Sequence, residues 1–301
     1  MCFFQKMKEV SILKIRGRVL TALSAILFGA IPMVTKILLE RGMDVVAISF
    51  YRYGLIIPVM AGCCLMKRIP LKLTRNKRID ILIHASFFST ITMLLLNGSY
   101  MFIHTGIATT LHFLYPLFVI VICKFFYRDA IDKKTIRSLF IMLIGITCFM
   151  EQVDINQVQG LVLALLSAIT YAIYLVQMEK RKLSHIHPLH FSLYLSVYTC
   201  ILLMAVNVVT RSIHPYTDLM NFGFLFLISF MSLLSVVCLQ AGAKHLGSKL
   251  VSLFSLFEPI TSLLLGVIFL NETVQFMKII GCILILCAVV YLAIDIPRKK
   301  G

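Results

Sequence analysis

Apolar residues in this chain come in blocks of about 18–22, and the charged residues sit almost entirely in the short stretches between them. A helix needs about 20 apolar residues to cross ~30 Å of hydrocarbon. The blocks therefore predict membrane-spanning helices at 19–39, 45–66, 80–103, 107–126, 136–153, 158–178, 188–209, 221–243, 247–270 and 274–295. Only a bend near His104–Gly106 separates the third block from the fourth. A similar bend near His245–Gly247 separates the eighth from the ninth.

The pattern occurs twice. LHFLYPLFVIVICKFFY at 111–127 and FSLFEPITSLLLGVIFL at 254–270 each carry a proline near the middle and an acid after the end: Pro116 with Asp129, Pro259 with Glu272. Prolines and acids are both offset by 143 positions. At that same offset GRVLTALSAI (17–26) aligns with GLVLALLSAI (160–169), Ser49 and Tyr51 with Ser192 and Tyr194, and Asn97 with Gln240. A single gapless register through several spans indicates a duplicated unit. Five crossings per unit make the second copy enter from the opposite face, so the copies are inverted about an axis in the membrane plane. The expected fold is an all-α polytopic membrane protein with ten transmembrane helices in two inverted five-helix repeats. Its parts are a cytoplasmic N-terminal segment (1–18), a first repeat (19–153), a second repeat (158–295) and a cytoplasmic tail (296–301).

Composition agrees with the blocks. The 301 residues are 60% hydrophobic and 14% charged, with a mean hydropathy of +0.95. A soluble domain carries roughly a quarter charged residues. The net charge of +16 admits two readings, a phosphate-binding surface or basic loops on one side of a membrane. The basic residues lie in short loops after the second, fourth, sixth and eighth blocks and at both ends, while Asp44, Glu151, Asp154, Asp218 and Glu272 mark the other side. That favours the loops: both termini are expected in the cytoplasm of a plasma-membrane protein, and no nucleic acid is expected as a partner. The basic N-terminus leads into a run too long for a signal-peptide core, so a retained first span is expected. Nine cysteines form no CxxC pair and read as small buried thiols.

LSAILFGAIPMVTK (23–36), Arg52, TGIATTLHFLYPLF (105–118) and LFEPITSLLLGVIFLNE (256–272), duplicated and in order, resemble the EamA type of the drug/metabolite transporter superfamily. Phe28-Gly29 stands where that family has Trp-Gly, and Arg128-Asp129 where Gly-Glu is usual. The resemblance covers nearly the whole chain. It implies a ten-helix transporter of small metabolites and leans towards export.

Polar groups inside the hydrocarbon mark the candidate site. Glu258 is the deepest acid, and Ser248, Ser252, Ser255, Glu258 and Ser262 share one helical face. Thr105, Thr109, His112 and Pro116 are the first-half counterpart. This doubled stripe reads either as the lining of a central path or as small-residue packing with serines bonded to their own backbone. Glu258 and His112 are candidates for proton coupling, or alternatively for structural hydrogen bonding. Pro116 and Pro259 free the carbonyls of His112 and Ser255 and read as hinges or static kinks. Ser167, Tyr171 and Tyr174, with Met178, share a face of the sixth span suited to a gate or a stacking surface. Asn97 and Gln240 read as cavity lining, with Tyr115 and Tyr100 as weaker members; Lys36 and Arg52 read as interfacial.

Three function classes follow. The leading one is a secondary transporter, with a small-molecule substrate and membrane lipids as partners, protons as a candidate coupling ion, no cofactor or metal, and room for a homodimer. An ATP-driven pump is disfavoured, since no GxxxxGK[ST] is present. The alternatives are an intramembrane enzyme, for which HExxH and GxSxG are both missing, and a non-transporting assembly or sensor subunit.

Overall fold

Helices form where the apolar blocks predict them. The computed structural model describes residues 2–69, 72–99, 102–103, 105–148, 158–213, 218–270 and 276–293. The first helix, α1 (Cys2–Glu40), includes the basic N-terminal segment, which continues the first span as one helix. Asp44 caps the next, its side chain accepting from Val46 N at 2.7 Å. The second span is then α2 (Val45–Gly54) and α3 (Ile56–Met66). In the third, α4 (Arg75–Asp80) passes through a π-helical turn (Ile81–Phe87) into α5 (Phe88–Ser99). The first half closes with α6 (Thr105–His112), α7 (Tyr115–Phe125) and α8 (Lys133–Thr147). The second half has α9 (Val158–Lys180), a 3-10 turn (Leu183–His185), α10 (Pro188–Thr210), α11 (Leu219–Phe254), α12 (Phe257–Leu270) and α13 (Phe276–Ala293). Among the described residues, 7 helical runs are long and apolar enough to cross a membrane. Shorter helices, α8, α12 and α13, occupy the fifth, ninth and tenth spans. Glu151, Asp154, Glu272 and the tail lie outside the described residues.

Two expected helices are each divided. The fourth span breaks at Phe113–Leu114 and the ninth at Ser255–Leu256, just ahead of Pro116 and Pro259. Proline has no N–H to give and its ring crowds the carbonyl four residues back, so the helix stops and restarts. The expectation that Pro259 leaves the Ser255 carbonyl free is corrected, because Glu258 N donates to it at 3.0 Å.

The packing obeys the duplication. α1 lies along α11, and its equivalent α9 lies along α5, the equivalent of α11. α1 also packs on α12, as α9 packs on α6 and α7; α10 meets the π-helical turn, as α2 meets α11. The self-paired contacts are α8 with α13 and α10 with α2 and α3. Exchange of the halves maps each pairing onto another. Small residues let the backbones approach: Ser24 Oγ donates across to the Ser235 carbonyl at 2.9 Å. Large apolar side chains such as Phe140 (65% exposed) and Ile268 (65%) cover the outside, as a lipid-facing surface requires.

Candidate functional site

The break ahead of Pro116 places His112 and Tyr115 against α9. His112 Nδ1 lies 2.9 Å from Ser167 Oγ. Ser167 gives its only proton to the Ala164 carbonyl at 2.6 Å. Hydrogen-bond bookkeeping therefore puts the donor on the histidine, with Nδ1–H bonded to Ser167 and Nε2 left as an acceptor in the neutral ring. Two tyrosines pack against it, and a third stacks on one of them. Ring centres lie 5.6 Å apart for His112–Tyr115 and 5.3 Å for His112–Tyr171. Tyr115 meets Tyr171 edge-on at 4.7 Å, and Tyr171 stacks on Tyr174 at 5.8 Å. Two aromatic residues of the first half and two of the second, with Ser167 bonded to the histidine, thus form one group at the junction of the repeats. Edge and stacked ring pairs of this kind hold their geometry with about 0.5–1.5 kcal/mol each beyond area burial.

Glu258 comes from the other broken helix, in the first turn of α12. It lies near enough to Tyr115 and Tyr171 to act on both electrostatically. Its Oε1 is buried and without a hydrogen-bond partner, and so is Tyr115 Oη. Ser255, the neighbour of Tyr115, gives its proton to the Val251 carbonyl at 3.0 Å, so towards Tyr115 its oxygen can only accept. Two unpaired buried polar atoms in one site are a departure from the rule that such groups are bonded. Gly29 makes the site possible: a Cβ there lands 2.6 Å from the Glu258 carbonyl and 2.8 Å from Thr261 Cβ, so only glycine lets α1 come this close.

The remaining sequence candidates divide. Thr109 is half-buried on α6, above His112. Asn97 is half-buried near the end of α5. Gln240 is fully buried, but its amide Nε2 donates to the carbonyls of Leu183 and Ile186, both at 3.0 Å. It anchors the α9–α10 turn and does not join the aromatic group. Two serines of the stripe are bonded locally, Ser252 Oγ to the Lys249 carbonyl (2.9 Å) and Ser255 Oγ to the Val251 carbonyl, whereas Ser248 Oγ reaches across to Glu179. Tyr100 lies outside the described residues.

A set of charged contacts around the site was not singled out from sequence. Glu179 Oε2 accepts from Ser248 N at 2.5 Å and Ser248 Oγ at 2.6 Å. It thereby caps the helical segment that restarts after Gly247, whose φ of 75° ends the preceding one. Lys180 donates to both oxygens of Asp129, at 2.9 and 2.7 Å, and Lys249 stands 3.4 Å away. The Lys180 hydrogen bond holds the Asp129 carboxyl below its ordinary value. Asp129 belongs to the first half and both lysines to the second, all on the basic face. On the opposite face Arg41 pairs with Asp218 at 2.5 Å and bonds Asn221. That guanidinium holds the Asp218 carboxyl below its ordinary value. The signal that would have found Glu179 is the offset, since it aligns with Lys36.

Eight described cysteines are free thiols, and among the described residues no His, Cys, Asp and Glu cluster could hold a metal ion.

Two inverted halves, broken helices and a buried polar site where they meet define a membrane transporter. The EamA-like transporter family model matches residues 15–150 and 158–294. The chain belongs to that family, which confirms the resemblance read from the motifs. It is similar to an uncharacterized transporter of Clostridium kluyveri, 23% identical over 283 residues, covering 90% of this chain and 91% of that one. A protein crystal structure with 13% identity superposes with a TM-score of 0.77, covering 93% of this chain and 98% of the other, a likeness of fold alone.

Proposed function

We propose that this chain is a secondary transporter, not an enzyme, that moves a small metabolite such as an amino acid across the plasma membrane by alternating access, as an exporter. The observation that carries this reading is the group built jointly by both halves from His112, Tyr115, Ser167 and Tyr174, all buried, with the half-buried Tyr171 and Glu258. A site shared between inverted repeats opens to one side or the other as the halves exchange conformations. The Asp129–Lys180 contact closes the basic face and the Arg41–Asp218 contact the opposite one. Basic loops put the first of these in the cytoplasm, together with both termini.

Glu258 is the ionisable group best suited to coupling. Its unpaired Oε1 has no structural bond to break, and its backbone starts a helix freed to pivot by Pro259. Tyr115 has the same place in the first half, and His112 beside it, the counterpart of Ser255, leaves Nε2 open to a proton or a substrate donor. Pro116 and Pro259 serve as the hinges.

The test is flux in vesicles reconstituted with the purified chain, over labelled amino acids and other small metabolites. Substrate-dependent flux that saturates, and that falls at least tenfold with Tyr171→Ala, supports the reading. Folded protein with no flux for any compound contradicts it.

A further inference from the structure

Arg52 lies in α2 and lines a narrow recess between α2, α10 and α11, with Tyr53, Ser192, Ser196, Ser229 and Ser232. A guanidinium and four serines are an odd lining for the inside of an apolar bundle. Ser229 returns its proton to the Leu225 carbonyl at 2.6 Å. Ser192 Oγ, Ser232 Oγ and Arg52 Nε are buried and make no hydrogen bond. The guanidinium lies over the Tyr53 ring, 5.0 Å from its centre, and its Nη2 has two long contacts, 3.4 Å from Tyr53 Oη and 3.9 Å from Met93 Sδ, none of which supplies a negative charge. Among the described residues no carboxylate pairs with Arg52.

A cation inside a helical bundle is ordinarily paired, and a charged donor left bare is more costly than a neutral one. Serines can give or take a hydrogen bond, whereas a guanidinium only gives. The partner these atoms lack is therefore an acceptor with negative charge. The recess adjoins the aromatic site: Leu195 and Val236 line it and also belong to the apolar cluster of Tyr115 and Tyr174. Tyr53 is near enough to act on Tyr171 and Tyr174.

We propose that Arg52, Ser192 and Ser232 form a carboxylate-binding subsite for the transported molecule. The guanidinium fork takes the two carboxylate oxygens, and the hydroxyls take the remaining lone pairs. The proposal rests on the transporter reading above and narrows its substrate to a carboxylate-bearing metabolite.

The test is the thermal stability of the purified full chain with free amino acids and small monocarboxylates, each beside its methyl ester, and with inorganic phosphate. A ligand that binds the folded state raises its melting temperature. One or more free acids is expected to raise it by several degrees and the matching ester not at all. Arg52→Gln abolishes the shift, Arg52→Lys keeps part of it, and Ser192→Ala weakens the acid at least threefold; the last carries the test if Arg52→Gln does not fold. Equal shifts from acid and ester, a shift retained in Arg52→Gln, no shift with any acid, or a shift with phosphate alone overturns the proposal. Because the readout is binding, its failure leaves transport of neutral or cationic molecules standing. Binding without flux instead strikes at the transporter reading.

Discussion

Lys180, the last residue of α9, grips Asp129 beyond the end of α7 at 2.7 Å, tying the second half of the chain to the first. Cys123 lies behind this contact, fully buried and 3.6 Å from Ser248 Oγ. Asp129→Asn removes the ion pair while keeping the shape. A partly exposed pair contributes up to about 1 kcal/mol, or about fivefold in a population. Labelling of Cys123 by a thiol reagent, read by mass spectrometry, is expected to speed up by about that factor.

The same contact predicts a pH dependence. The Asp129 carboxyl is held below its ordinary value of 3.8, first by the Lys180 hydrogen bond. A carboxylate depressed in this way contributes fully above its unfolded pKa, and the contribution is lost as pH falls through the folded value. The ratio of Cys123 labelling rates in Asp129→Asn and wild type, in which the thiolate fraction cancels, should thus stay constant with pH near neutrality. The difference between wild type and Asp129→Asn should vanish only in strong acid, below the ordinary carboxylate range.

Gly29 predicts a stability effect that comes from packing alone. A methyl group there meets the Glu258 carbonyl at 2.6 Å, and backbone cannot move aside as a flexible side chain can. Gly29→Ala forces α1 and α12 apart and should destabilise by about 1–3 kcal/mol, the range for an overpacked core. A melting curve in detergent checks it, with Gly62→Ala as the control because nothing lies within 4 Å of that position.

Much of this fold was legible in the residues, and the reasons are local. Apolar run length marks a span. Proline marks where a helix must stop, so Pro116 and Pro259 give the two breaks, while the freedom of glycine at positive φ marks Gly247. His112, Ser167, Tyr171 and Glu258 stood out because polar and aromatic groups are rare at such depth. Two things were hidden. Glu179 and Lys180 read as one more short charged loop, because their partners Ser248 and Asp129 are distant in sequence and only packing brings them close. Gln240 and Arg52 were exchanged in importance for the same reason: periodicity shows which face a residue takes, not what stands opposite. Gln240 turned out to anchor a turn, and Arg52 to line a recess.

The cap on the restarted helix gives a fourth prediction. Glu179→Ala leaves Ser248 N and Oγ without their shared acceptor. Loss of a cap costs about 0.5–2 kcal/mol. Gly247→Ala acts on the same joint through φ 75° and should also destabilise. Both should raise hydrogen exchange in residues 248–254 more than in α8, where the change touches nothing.

Coupling through Glu258 is tested by its neutral isostere. Glu258→Gln should remove the dependence of flux on a pH gradient while leaving the protein folded, and Lys36→Gln should retain it. Equal effects of the two substitutions would end the case for Glu258.

The central claim is that the two halves exchange roles about one shared site. The direct measurement is labelling of Tyr171→Cys, in a chain stripped of its other cysteines, by a membrane-impermeant thiol reagent applied to right-side-out and to inside-out vesicles. The account predicts labelling from both faces, with Asp129→Asn raising it from the cytoplasmic face and lowering it from the other. Labelling from one face only, unchanged by Asp129→Asn, would contradict it.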